Sequence, residues 1–360
     1  MGRTIWGAVR RTLAAALTLI VVAIVGGLGY RAYRQHAIAA VTRIDPVQGV
    51  DEELFVRIGG AEQWISIRGR NRDNPVLLLL HGGPGMAASF LPRDFFFSWT
   101  RDFTVVRWDQ RGAGRSYGRS GPLAAGITID RMAQDGIEVA EFLRAKLHKP
   151  KMVLVGLSWG SMLGAKIAHA RPDLFYAYVG TGQAVNQGKF KKIAYEQLLV
   201  EATRRHNEQA IRELKAIGPP PWDEGRKEGV HTKWATSFEP GQPSFREGLS
   251  MVLFESPDGP LDFVNFARGL LSSDEYFRDE VKALDVPSFG TDFAIPFFVF
   301  QGADDNVTPV APVRDYVASI HAPHKELVLI PNAGHSVMAT RPDAFLELLL
   351  DRVKPLTVSP

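Results

Sequence analysis

Residues 152–170 read MVLVGLSWGSMLGAKIAHA, and a strand pattern gives way to a helix pattern inside this one stretch. Met152 to Leu157 is an unbroken apolar run, as expected of a strand buried on both faces. A helical pattern follows from Ser161 to Ala170. Between them lies Gly156-Leu157-Ser158-Trp159-Gly160, which puts a serine on a tight strand-to-helix turn, with glycines where side chains would clash and the hydroxyl left exposed. Five letters of this kind can arise by chance; the strand before and the helix after give them weight. Ser158 is therefore a candidate nucleophile. A serine hydroxyl is a poor nucleophile at neutral pH and needs a base within hydrogen-bond reach, so the rest of the chain is read for one.

Further continuous apolar runs fall at 76–80, 104–108, 176–179, 296–300 and 326–330, and helical patterns at 129–147 and 342–353, the last opening on a proline that suits a first turn. Residues 54–58 and 63–67 alternate as a hairpin about Gly59-Gly60. Strand, loop and helix in succession predict an α/β fold with a mostly parallel, doubly wound sheet. From 183 to 290 the strand rhythm stops. Helical patterns at 191–217, 245–254 and 261–271, interrupted by Pro219-Pro220-Pro221-Trp222, predict a helical insertion over the strand ends, where it would cover a pocket. The expected organisation is a core in two parts, 51–182 and 291–360, around this cap.

Two late loops supply partners for Ser158. Gly302-Ala303-Asp304-Asp305 follows one apolar run and Asn332-Ala333-Gly334-His335 follows the next. His335 would take the serine proton and return it to a leaving group, while a carboxylate holds the imidazole tautomer. The Gly-x-x-Asp spacing favours Asp305; Asp304 fits a turn or helix-cap carboxylate. His81-Gly82-Gly83-Pro84-Gly85 ends the 76–80 run, and its glycines let backbone N–H groups approach a small anion. Gly83 and Trp159 are the candidate oxyanion donors, and Gly82 is a candidate substrate contact. Asp109-Gln110-Arg111-Gly112-Ala113-Gly114-Arg115-Ser116 lacks the glycine spacing and the helix signal of a dinucleotide site, and no P-loop or metal-binding motif occurs, so cofactor-free chemistry is expected.

Composition narrows the reading. The 360 residues include no cysteine, which excludes disulfides, thiolate zinc sites and a thiol nucleophile. The net charge of +3 misleads if taken whole: residues 1–49 hold six arginines and one aspartate, leaving 36 basic against 38 acidic groups elsewhere. A body without positive charge lacks the footprint of a nucleic-acid binder. From Thr12 to Tyr30 no residue is charged, and LAAALTLIVVAIVGGLG is long enough as a helix to cross most of a hydrocarbon core. Residues 1–37 are expected to be a retained single-pass membrane anchor, N-terminus inside, with 38–50 a linker and the body extracytoplasmic. A secretory signal cleaved near Gly27 or Ala37 is the competing expectation.

HGGPG at 81–85, DQRGAGRS at 109–116, GLSWGS at 156–161, GADD at 302–305 and AGHS at 333–336 together resemble the α/β-hydrolase superfamily, in particular its proline iminopeptidase-like branch. The resemblance spans about residues 50–353. It implies Ser158, Asp305 and His335 as a triad, Gly83 and Trp159 as an oxyanion hole, and a helical cap. It further implies a cap glutamate that binds a free substrate amine; the nearest counterpart is Glu239 in WATSFE at 234–239, with altered spacing and Phe238 in place of a tryptophan. That departure favours ester, lactone or amide hydrolysis of a small substrate over removal of an N-terminal proline from a short peptide. A non-catalytic ligand-binding member of the fold is the third reading, against which stands the complete set of triad residue types in order.

Overall fold

Buried backbone needs hydrogen-bond partners, and in the computed structural model eight strands supply one another with them in a single sheet. The structure describes residues 2–124, 126–222, 225–257 and 259–358. Strands β1 (Val50–Ile58) and β2 (Ala61–Gly69) form the antiparallel hairpin, turning at Gly59 and Gly60, both with positive φ. β3 (Val76–Leu80), β4 (Thr104–Trp108), β5 (Met152–Leu157), β6 (Phe175–Thr181), β7 (Phe297–Gly302) and β8 (Lys325–Ile330) complete the order β1-β2-β4-β3-β5-β6-β7-β8. β2 meets β4 antiparallel, and every pairing beyond it is parallel.

Every residue of β3 and β4 is buried, and alternate residues face opposite cores. Leu78 and Leu80 join Leu154, Val139 and Ile167 on one face; Leu77 and Leu79 join Val153, Val155 and Phe345 on the other. Full burial of one such side chain contributes about 1.5–3 kcal/mol, so the central strands are a stiff base for the loops at their C-terminal ends. Register matters there: Leu80 lies opposite Gly156, and Gly156 opposite Gly180, so the loops after β3, β5 and β6 emerge level with one another.

The helices are α1 (Gly2–Val41), α2 (Gly114–Ser120), α3 (Ile129–Leu147), α4 (Trp159–Ala170), α5 (Gln187–Arg204), α6 (Glu208–Ile217), α7 (Gly225–Phe238), α8 (Phe245–Ser250), α9 (Pro260–Ala283), α10 (Val310–Ser319), α11 (Val337–Thr340) and α12 (Pro342–Leu348). α5 to α9 all fall between β6 and β7, and no strand interrupts them among the described residues. They carry a small core of their own, including Tyr195, Leu198, Leu214, Trp222, Trp234 and Phe238. The continuous helix expected over 191–217 is broken, because His206 takes a positive φ and Asn207 caps α6 by accepting from Ala210 N–H. The last helical stretch reaches Val353 as expected, but after Leu348 it widens into a π turn, Leu349–Val353.

The N-terminal helix runs past residue 37, the expected end of the anchor. Nothing between Tyr30 and Asp45 breaks a helix, so α1 continues to Val41, and Ile38 and Thr42 pack against the core. The Thr42 carbonyl accepts from Arg68 Nη2 at 2.7 Å. Within α1, Val9–Val41 is a helix of 33 residues with mean hydropathy 2.3 in its most apolar window, none of that window buried. At 1.5 Å per residue it is about 50 Å long, enough to cross a bilayer core and extend beyond it.

Candidate active site

Ser158 sits between β5 and α4 with φ 54°, a backbone conformation that a serine adopts only when its surroundings hold it there, at a cost of about 1–3 kcal/mol. Two glycines supply that constraint. A Cβ on Gly156 would strike the Gly160 carbonyl, and one on Gly160 would strike the carbonyls of Leu80 and His81, so α4 enters directly against the backbone of β5 and of the loop after β3. The turn is pinned by Ser158 N–H donating to the Thr181 carbonyl at 3.0 Å. The Ser158 carbonyl accepts from Ser161 N–H at 2.8 Å, closing the first turn of α4.

Asp305 follows β7 and is 4% exposed, whereas Asp304 points to solvent. Asp305 accepts from the N–H groups of Val307 and Thr308, from Gln301 Nε2 at 2.6 Å and from Thr308 Oγ1 at 2.7 Å. His335 follows β8, and its Nδ1 lies 3.1 Å from Asp305 Oδ2. Burial lowers the imidazole pKa, but the Asp305 carboxylate, the hydrogen bond to it and the nearby Glu239 outweigh that and leave it above the ordinary histidine value. With Nδ1 turned to a carboxylate, Nε2 is the nitrogen free to act as base.

The turn at Thr181 and Gly182 joins Ser158 to His335. Its first residue accepts from Ser158 N–H, and a Cβ on its second would come within 2.7 Å of His335 Cε1. Ser158 and the imidazole thus border the same turn. Among the described residues no hydrogen bond joins Ser158 Oγ to the ring; such contacts are commonly long before substrate binds.

Glu239, the candidate substrate contact, lies just past α7. It is 6% exposed, and its oxygens face backbone: Oε1 accepts from Asn306 N–H at 2.9 Å and Oε2 from His335 N–H at 3.0 Å, with Gln242 Nε2 also at 3.0 Å. Burial, and then the Asp305 charge, push its pKa up to about 6 in spite of those amides. Its contacts make it a strut between the loop of Asp305 and the loop of His335.

The loop after β3 touches the nucleophile turn. A Cβ on Gly82 would lie 3.4 Å from Ser158 Cβ, and Gly83 adopts φ 124°, open to glycine and hardly to any other residue. His81 is no base here, since burial holds its pKa down at about 4. Its neutral ring bonds through Nδ1 to the Gly82 carbonyl and accepts at Nε2 from Gln110 N–H. Gln110 also donates to the His81 carbonyl and accepts from the Trp159 indole at 2.9 Å, tying this loop to α4. Buried Asp109 accepts from the N–H groups of Ser89 and Arg115. The DQRGAGRS run is thus a buttress. Above these loops, Phe277 of α9 packs on Trp159 at 5.0 Å, and a cavity of about 140 Å³ opens between Gly83, Pro84, Gln187 of α5 and Phe277. A larger cavity, about 700 Å³, lies beyond Asp305 between Arg204, Arg205, Glu239 and Arg314, and Ser158 lines neither.

Thr308, Gln301 and Gln110 were not singled out from sequence. The Asp-x-x-Thr spacing of Asp305 and Thr308 is a turn signal for the first; Gln110 lies within the DQRGAGRS motif, which does not itself tell its role, and Gln301 carries no local signal.

A family model described as the alpha/beta hydrolase fold matches residues 75–342. The "Probable aminopeptidase YbaC" of Bacillus subtilis is 30% identical over 297 residues, 81% of this chain and 93% of that protein. The "Probable proline iminopeptidase" of Streptomyces coelicolor is 27% identical over 286 residues, 75% and 85% of the two chains. Among solved structures, the proline iminopeptidase of Mycobacterium smegmatis superposes with a TM-score of 0.61 at 19% identity, covering 85% of this chain and 99% of that one. With its parallel sheet, its serine on the turn after β5 and a family match over most of its length, this chain is a hydrolase and belongs to the α/β-hydrolase fold family.

Proposed function

We propose that the protein is a serine hydrolase that cleaves an ester, lactone or amide bond of a small substrate through an acyl-enzyme, with α5 to α9 as a cap over the site. Ser158 Oγ attacks the carbonyl carbon while its proton passes to His335 Nε2. The N–H groups of Gly83 and Trp159 receive the oxyanion. The tetrahedral adduct then breaks its bond to the leaving oxygen or nitrogen, which takes the proton from His335. Water repeats the sequence in reverse order of roles, its proton going to His335 and then to Ser158 as the acid departs. Asp305 stays ionised and holds Nδ1–H. The observation that carries this reading is the Asp305–His335 pair at 3.1 Å, set against the same turn that anchors Ser158.

The aminopeptidase names of the relatives support a second reading, release of an N-terminal proline. One experiment addresses both. Ser158→Ala should abolish fluorophosphonate labelling and lower turnover by about 10³-fold or more, leaving the fold intact. Labelling that survives this change, or never occurs in the parent chain, overturns the nucleophile assignment and favours a ligand-binding role. Comparing a proline arylamide, its acyl-blocked analogue and an aryl ester then separates peptidase from esterase. The length and apolar character of α1 support single-pass anchoring, and the arginines and absent acids before Thr12 favour the hydrolase body on the extracytoplasmic side.

A further inference from the structure

Large apolar side chains stand in solvent on one part of the helical insertion. Leu249 of α8, Leu253 of the turn Met251–Glu255, and Leu261, Val264 and Leu271 of α9 are all exposed, Leu261 at 79% and Leu271 at 73%. On α9 the stripe runs through Leu261, Val264, Arg268 and Leu271, spaced along one helix face. Isolated exposed leucines need no explanation, but a cluster of this kind marks a contact surface.

Helix α1 meets this part of the insertion. Its uncharged stretch ends at Tyr30 and Arg31, the residue types that settle at the headgroup level of a bilayer. Those two residues hold the segment that carries Leu253. The Tyr30 ring meets Phe254 edge-on at 5.1 Å, and the Arg31 guanidinium donates to the carbonyls of Leu253 and Ser256. One turn further on, Arg34 pairs with Glu255 at 2.6 Å and Gln35 Nε2 donates to the Ser256 carbonyl at 2.8 Å. The segment carrying Leu253 is therefore fixed at the depth where α1 leaves the hydrocarbon. The other side of α9 bears on the catalytic loop: a Cβ on Gly85 would meet Ser273 Cβ at 2.7 Å, and Phe90 stacks on Phe266 at 4.4 Å.

We propose that the face bearing Leu249, Leu253, Leu261, Val264 and Leu271 rests in the headgroup and outer acyl layer of the bilayer that α1 crosses, an inference that depends on α1 being a membrane anchor. Arg268 within the stripe suits an anionic headgroup. This seating leaves only the thickness of one helix between lipid and the loop carrying Gly83.

The full chain, free of cysteine, allows a direct test. Single cysteines at Leu253, Leu261 and Leu271, and at the exposed Val200 and Val358 as references, are labelled with an environment-sensitive fluorophore. Each chain is then reconstituted in vesicles of phosphatidylethanolamine and phosphatidylglycerol. Spin-labelled acyl chains should quench the first three several-fold more than the references, and aqueous iodide should do the opposite. Equal iodide quenching at all five positions, in chains that float with the vesicles, overturns the seating while the anchor stands. Protection of the first three from both quenchers overturns it in favour of a second copy as the occupant. Chains that do not float overturn the anchor, and the seating with it.

Discussion

Replacing Glu239 by glutamine separates strut from substrate ligand. The amide buries no charge, but only its oxygen accepts, so one of the two backbone N–H groups that Glu239 engages faces a donor instead. The rise of the Glu239 pKa from 4.5 to about 6 means that ionising it in the folded chain costs about 2 kcal/mol more than in the unfolded one. With the folded value raised, the stability this carboxyl contributes is complete below 4.5 and is lost as pH climbs through about 6. Glu239→Gln lacks this titration, so its stability relative to the parent should rise by about 2 kcal/mol between pH 4 and pH 7, read from urea unfolding at both pH values. Catalysis should move the other way. Glu239 helps hold the His335 pKa up and fixes both loops, so its loss should shift the acid limb of kcat/KM for a neutral aryl ester to lower pH and reduce the plateau; a 1 Å displacement of such loops can cost about a hundredfold. A stability difference that is flat with pH, beside an unmoved acid limb, refutes the strut. Loss of the proline arylamide alone, with the ester untouched, would restore the amine-binding role.

Gly182→Ala places a methyl 2.7 Å from His335 Cε1 and forces φ 50° on alanine; turnover should fall by about a hundredfold with KM little changed, and unaltered kinetics would remove this turn from the site. Base catalysis needs neutral His335, so kcat/KM should drop as pH falls through a value above the ordinary 6.5, whereas the stability that the pair with Asp305 contributes should be complete below 6.5 and lost as pH rises through the folded value. A pH–rate profile whose acid limb lies below 6.5 contradicts the geometry.

The nucleophile turn is legible in sequence because its constraint is partly local: a side chain on Gly156 would strike the Gly160 carbonyl four residues on, and one on Gly160 the carbonyls of Leu80 and His81, so the letters record the geometry. Asp305 can be told from Asp304 by spacing, since one turn after β7 decides which carboxylate faces inward. Glu239 shows the limit. Its letter is visible, but its role depends on where α7 stops relative to a loop 96 residues further along, and no local pattern records that distance. Gln110 and Gln301 escape for the same reason, each joining elements far apart in the chain. At the N-terminus the composition changes at Tyr30, whereas the backbone stays helical until proline and turn residues arrive near Asp45.

Glu239 also bears on how molecules enter and leave. A carboxylate at the end of α7 that grips the backbone beside Asp305 and His335 rivets the insertion to the core at that point, so the insertion cannot swing away there as a free flap without disordering the proton-transfer pair. Passage then falls to the opposite flank, between α9 and the loop of Gly83 and Pro84. An inhibitor wedged into that flank would block traffic while leaving the pair at rest, and its potency would be blind to substitutions at the rivet.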